Sequence, residues 1–254
     1  MSVSPFTWTL LEKAAYDNGF DLEGLRIEDW RTFSSSQTSL RVWLGGIDDT
    51  LFIVALSRWH VFEALDGLGS PWTKPLPPGA PAARSTGDLS ALHRLLRRAF
   101  QLSRALPDEP LQVFLQKTAT MPTTTEAERT VVQRVGQDLF RSRLIDYWEG
   151  RCAITGLAVV ELLRASHIKP WADCATDAER LDVFNGLLLA PHLDAAFDLG
   201  FMTLNDEGHV MLAHSLGASA RATLGFDGPL QAARLTGAHR MYLRWHRERV
   251  FRGS

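Results

Sequence analysis

Five prolines, Pro71, Pro75, Pro77, Pro78 and Pro81, fall between Gly69 and Gly87, with glycine, serine and alanine among them. Proline fixes φ and removes a backbone donor, so this stretch excludes a helix or a central strand and reads as extended chain. A chain of 254 residues suits one large domain or two smaller ones at roughly 150 residues each. The prolines place the seam. The expected organisation is a small N-terminal domain over 1–70, a Pro-rich linker over 71–87, a helical connector over 88–124 and a second domain over 125–254, with its core at 150–212.

Apolar residues make up 45% and charged residues 22%, a globular composition that excludes disorder. With 27 Lys+Arg against 29 Asp+Glu, the formal charge of -2 provides no global basic field, so any nucleic-acid surface must be local. Two cysteines, Cys152 and Cys174, without a CxxC pair argue against a disulfide scaffold and against a structural zinc site. The N-terminus lacks the pattern of a secretory signal, and no apolar run approaches the ~18 residues of a membrane span. The expectation is a soluble, cytoplasmic protein without a membrane partner.

The fold class expected is α+β. Ser4 and Pro5 start a helix that stops at Gly19. The runs Leu40–Leu44 and Leu51–Leu56 form a hairpin around a Gly45–Asp49 turn, and Ser57 caps a short helix through about Leu65. Asp88 caps a helix carrying Arg94, Arg97, Arg98 and Arg104. Thr125 and Glu128 form a capping box for a helix with Val131 or Val132, Val135, Leu139 and Ile145 on its apolar stripe and Arg134, Arg141 and Arg143 opposite.

The chemistry lies between Cys152 and His209. A strand-like run over Glu161–Ala165 delivers Ser166, His167 and Ile168. A polar excursion through Pro170 and Trp171 leads to Asn185, Gly186 and three leucines, and a short helix then carries His192, Asp194 and Asp198 before a hairpin over Phe201–Gly208. An imidazole, a carboxamide and two carboxylates thus come close together. Phosphodiester hydrolysis needs such a set: a base for water, a hard cation against the phosphate charge and a group that orients the base. Aspartates at i,i+4 share a helix face, where their like charges favour a cation. Oxygen ligands suit Mg²⁺ or Mn²⁺.

The blocks CAITG (Cys152–Gly156), LRASHIKPW (Leu163–Trp171), NGLLL (Asn185–Leu189), LDAAFD (Leu193–Asp198) and GFMTL (Gly200–Leu204) resemble the HNH endonucleases, in the branch seen in bacterial restriction-type proteins. The likeness extends over about residues 123–252 and leaves 1–85 uncovered. It implies a ββα-metal core flanked by helices, with His167 as general base and Asn185 holding the loop and the base in place. The family's last His lies nine residues after that Asn, at Asp194, so Asp194 is the expected metal ligand, with Ser166, Asp198 and His192 as further candidates. Many members place an acidic or imidazole ligand directly before the base, where this chain has Ser166.

Lys169, Arg164, Arg141 and Arg244 are the candidate phosphate contacts, which position a nucleic acid without reading its sequence. The run from Arg240 to Arg252, with Arg240, Arg244 and Arg247 along one side of a helix, adds a local positive surface. The resemblance implies a divalent-metal-dependent DNA endonuclease, in restriction of foreign or modified DNA, with residues 1–70 selecting the target. One ββα-metal site cuts one strand, so a homodimer is expected for double-strand cleavage. Two rival readings are an inactive nucleic-acid-binding module and a nuclease effector recruited by a protein partner.

Overall fold

In a computed structural model, residues 3–253 are described apart from Asp48, Asp66 and Asp227. The chain is a mixture of helices and antiparallel sheets and divides into two compact units, Met1–Arg104 and Ala105–Ser254.

Unit 1 contains α1 (Pro5–Asp17), β1 (Leu22–Ile27), β2 (Trp30–Ser34), β3 (Arg41–Ile47), β4 (Leu51–Leu56), α2 (Trp59–Ala64), β5 (Ser70–Pro71), β6 (Ala82–Thr86) and α3 (Leu89–Ala105). The strands form one antiparallel sheet in the order β1-β2-β3-β4-β6-β5. Ser4 caps α1, its Oγ accepting from the Thr7 amide, and Pro5 fits the first turn, where its missing N–H is not needed. β3 and β4 are the expected hairpin, buried on both faces as central strands are. Gly45 and Gly46 belong to β3 instead of the turn, and Asp48 of that turn lies outside the described residues.

The expected linker is corrected. Register places Trp43, Ala55 and Ala83 on one face of the sheet, and Trp72, Leu76 and Ala80 from the Pro-rich stretch pack against that face. The chain then returns as β6. Pro71 is tolerated because β5 is an edge strand. The stretch is therefore a cover for the sheet, and the unit extends through α3 to Arg104. On the opposite face, Tyr16 of α1 meets Phe33 of β2 edge-on at 5.8 Å. Ser57 does not cap α2; its Oγ accepts from the Arg41 amide, and Arg58 occupies the cap position. Asp88 does start α3, its carboxylate accepting from the Ala91 amide at 2.7 Å.

Unit 2 begins with α4 (Glu109–Thr118) and α5 (Glu126–Tyr147), so the supposed 88–124 connector is shared between the two units. The capping box of α5 is present: Thr125 Oγ1 accepts from the Glu128 amide, and the Glu128 carboxylate accepts from the Thr124 and Thr125 amides. Its buried stripe is Gly136, Leu139, Phe140, Arg143, Leu144 and Tyr147, while Val131 is exposed. Gly136 and Arg143 interrupt the apolar pattern, which is why the sequence suggests a different stripe.

After α5 come β7 (Arg164–His167), α6 (Asp177–Leu181), β8 (Gly186–Leu189), α7 (Pro191–Asp198), the hairpin β9 (Met202–Leu204) and β10 (Val210–Leu212), α8 (Ala218–Thr223) and α9 (Gly237–Arg249). β7 starts later than expected, because Val160–Leu162 coil into a 3₁₀ turn, and it includes Ser166 and His167. β7 and β8 pair antiparallel with His167 opposite Gly186, and α7 packs on β7 and β9.

Gly200, at φ 72°, turns the chain from α7 into β9 in a left-handed conformation. A Cβ there would lie 2.1 Å from the Val250 carbonyl oxygen, and the Gly200 carbonyl accepts from the Arg252 amide. Backbone cannot yield as a flexible side chain would. Gly200→Ala is therefore expected to destabilise the protein by about 2 kcal/mol or more, read as a lower urea midpoint. An unchanged midpoint would contradict this packing.

Candidate active site

The site forms where β7 ends. Strand alternation sends Arg164 and Ser166 to one side and His167 to the other. The His167 ring stacks on Phe140 of α5 at 3.7 Å with a 14° interplanar angle and meets the edge of Trp171 at 5.7 Å. Two glycines make room for these neighbours. A Cβ on Gly136 would lie 2.5 Å from the Trp171 ring, and one on Gly186 would lie 2.5 Å from the Phe140 ring.

His167 Nε2 lies 2.9 Å from the Arg180 carbonyl oxygen. A carbonyl only accepts, so Nε2 carries the proton and Nδ1 keeps its lone pair. Burial pushes the ring pKa down to about 4, against a smaller upward pull from that carbonyl. His167 is thus a neutral imidazole at neutral pH, with its tautomer fixed.

Asn185 is fully buried and ties the loop that supplies this carbonyl. Its Oδ1 accepts from the Lys169 amide at 2.8 Å, and its Nδ2 donates to the carbonyls of Lys169 at 3.1 Å and Glu179 at 3.2 Å. Arg180 completes the tie by donating to the carbonyls of Cys174 and Trp171 and to the Asp177 carboxylate. Cys174 lies inside this loop, its thiol pKa raised chiefly by burial. Cys152 accepts from the amides of Thr155 and Ala190 through its sulfur and is a core residue.

The structure brings Ser166, Asp194 and Asp198 together. The Ser166 hydroxyl donates to Asp198 Oδ1 at 3.2 Å and also interacts with the Asp194 carboxyl. Burial raises the pKa of both aspartates; Asp194 repels Asp198 further, while Ser166 and Arg164 ease the charge on Asp194. His192 does not join them. It is exposed on α7, two residues and about 200° around the helix from Asp194. Ser166, His167, Trp171 and Asp198 line one cleft of about 380 Å³, to which His246 of α9 and Val250 just after it also contribute.

Of the expected phosphate contacts, two are already engaged. Lys169 Nζ pairs with Glu179 at 2.8 Å, and Arg141 donates to the carbonyls of Leu163 and Val160, fastening α5 to the turn ahead of β7. Arg143 is buried, and Arg247 pairs with Asp206 and the Leu204 carbonyl. Arg164 and Arg244 are exposed. The sequence reading missed His246, which stacks on Phe197 at 3.9 Å, contacts Thr203 Oγ1 through Nδ1 and donates from Nε2 to the Phe197 carbonyl, holding α9 on the helix of the two aspartates. It also missed Tyr242, which donates to the Asp182 carboxylate. A basic helix rich in arginine concealed these inward-facing residues.

Residues 152–205 match the HNH endonuclease family. The HNH segment is about a fifth of the chain and contains His167, Asn185, Asp194 and Asp198. That match suggests a nuclease at the level of the family, a hydrolase family whose members act on DNA and generally use a divalent metal ion. No curated protein matches the chain, and no described helix is long and apolar enough to cross a membrane.

Among the described residues, no group of three His, Cys, Asp or Glu side chains converges to hold a metal. The donor set is two carboxylates and a hydroxyl. Its chemistry fits a hard divalent cation: the atoms are oxygens, and the partly desolvated aspartates, of which Asp194 repels Asp198, would be relieved by a positive charge.

Burial holds the pKa of His239 and His246, like that of His167, near 4. Each is below the unfolded value of about 6.5. The unfolded chain therefore binds protons that the native unit refuses, and stability falls as pH falls from about 6.5 toward 4. Each site contributes up to ~1.4 kcal/mol per pH unit in that window. Between pH 7 and 5.5, above the ordinary carboxylate range, urea unfolding is expected to lose on the order of 2–4 kcal/mol. Constant or increased stability would refute the three buried neutral rings.

Proposed function

We propose that the chain is a divalent-metal-dependent DNA endonuclease, and that β7, β8 and α7 are its ββα-metal core. The carrying observation is the Nε2–H···O=C bond from His167 to Arg180, which leaves Nδ1 as the unprotonated nitrogen of a residue that lines the cleft.

In this reading Nδ1 of His167 takes the proton of a water as it attacks phosphorus in line, and the Phe140 stack and the Arg180 carbonyl hold the ring in plane. Asn185 keeps that carbonyl in position and is a positioning residue. Asp194 and Asp198, with Ser166 between them, would hold the divalent ion, which when bound supplies positive charge to the phosphate and the leaving oxygen. Arg164, beside Asp194 and exposed, is placed to meet a phosphate of the same strand. Mg²⁺ and Mn²⁺ suit the oxygen donors.

Restriction of foreign or modified DNA is the setting proposed, with unit 1 engaging the target and two protomers cutting opposite strands. The rival, an inactive nucleic-acid-binding module, draws on the short donor set. Plasmid nicking distinguishes them. Wild type with Mg²⁺ or Mn²⁺ is expected to nick supercoiled DNA, EDTA to stop it, and His167→Ala to lower the rate by about 10²–10⁴. Asp194→Asn is expected to require more metal for the same rate. DNA binding without cleavage under any metal would favour the rival.

A further inference from the structure

Unit 1 has a second concave surface, about 540 Å³, lined along α3 by Leu89, Ser90, His93, Arg94 and Arg97. No carboxylate is among these residues. Arg94 and Arg97 are exposed, and neither carries an ion pair among the described residues. The other arginines of this helix differ: Arg98 is buried, and the Arg104 guanidinium lies over the Phe100 ring.

A buried side chain orders this surface from behind. Asn18, 5% exposed at the end of α1, accepts through Oδ1 from Arg97 Nε at 3.4 Å and donates through Nδ2 to the Ala14 carbonyl at 2.7 Å. Those two partners fix the orientation of its amide, so Nδ2 donates also to His93 Nδ1 at 2.9 Å. The proton of the His93 ring is therefore on Nε2. With Nε bound behind it, Arg97 has its terminal nitrogens remaining as donors. The acidic side chain that acts on His93, Asp17, is already paired with Lys13 at 2.5 Å.

We propose that Ser90, His93, Arg94 and Arg97 form a phosphate-binding site with Asn18 as its positioning residue. Two guanidinium forks, an imidazole N–H and a hydroxyl are donors, and guanidinium geometry matches phosphate oxygens in pairs. The phosphate comes from a nucleic-acid backbone or from a free phosphorylated compound. The first source rests on the nuclease reading, and contacts of this kind position a duplex without reading its sequence.

The test uses the full chain carrying His167→Ala, in EDTA, so that binding is read without cleavage. Fluorescence anisotropy with a labelled 30-bp duplex over a potassium chloride series is compared with calorimetry of inorganic phosphate and of a nucleoside monophosphate. Arg94→Ala/Arg97→Ala is expected to weaken duplex binding about tenfold or more and to lower the salt slope by about two, one per lost phosphate contact. Asn18→Ala is expected to weaken it less while leaving the slope closer to that of the parent. Ser90→Asp, at an exposed position, adds a repelling charge and serves if the arginine variant fails to fold. Loss of phosphate or nucleotide binding with the duplex indifferent would assign the site to a free compound. Unchanged binding of both ligands in the variants, or binding of neither by the parent, would overturn the proposal. Failure of the wild type to nick DNA would refute the nuclease reading and leave this outcome standing.

Discussion

The carboxamide of Asn185 closes the loop between β7 and β8 by bonding the backbone of Lys169 at one end and Glu179 at the other, while the Asn185 carbonyl accepts from the Ile168 amide. The loop so closed brings the Arg180 carbonyl to His167. Losing one partner from a buried amide costs about 1–3 kcal/mol, but the greater consequence here is positional. Without that carbonyl the imidazole has no fixed tautomer, and which ring nitrogen keeps its lone pair is undefined.

Two kinds of electrostatic discomfort meet around β7. His167 is desolvated, so its charged form is disfavoured and it stays a base. Asp194 and Asp198 are desolvated and repel one another, so their charged forms are disfavoured too. The two meet in one cleft, which Ser166, His167 and Asp198 line together. Compared with that arrangement, Lys169, Arg141 and Arg247 are local fasteners, and their charges are spent on protein groups.

Much of the site was legible in the sequence because its residues sit at strand ends and helix starts, where periodicity and caps are strong signals. The capping box at Thr125, the β3–β4 hairpin and the order of β7, β8 and α7 follow from such signals. The shared helix face of Asp194 and Asp198 follows from i,i+4 spacing, while Ser166 joined them only through the resemblance to the HNH endonucleases. Other features depend on tertiary contact. Gly136 and Gly186 look like breaks in apolar patterns, yet each is where an aromatic ring beside the histidine enters. The prolines at 71–81 exclude a helix and a central strand, and Pro71 does sit in the edge strand β5, but nothing local says that Trp72 and Leu76 will cover a sheet face. Arginine charge in a sequence likewise does not say whether a guanidinium faces a carbonyl or the solvent.

His167 as a neutral base with its proton on Nε2 is the claim on which the rest turns. The nitrogen-15 spectrum of the histidine rings in the full chain at pH 7, with His167→Gln used for assignment, measures it directly. The account predicts a neutral His167 ring with a protonated Nε2, a bare Nδ1 and a titration midpoint near 4. A proton on Nδ1, or an imidazolium at pH 7, would contradict it.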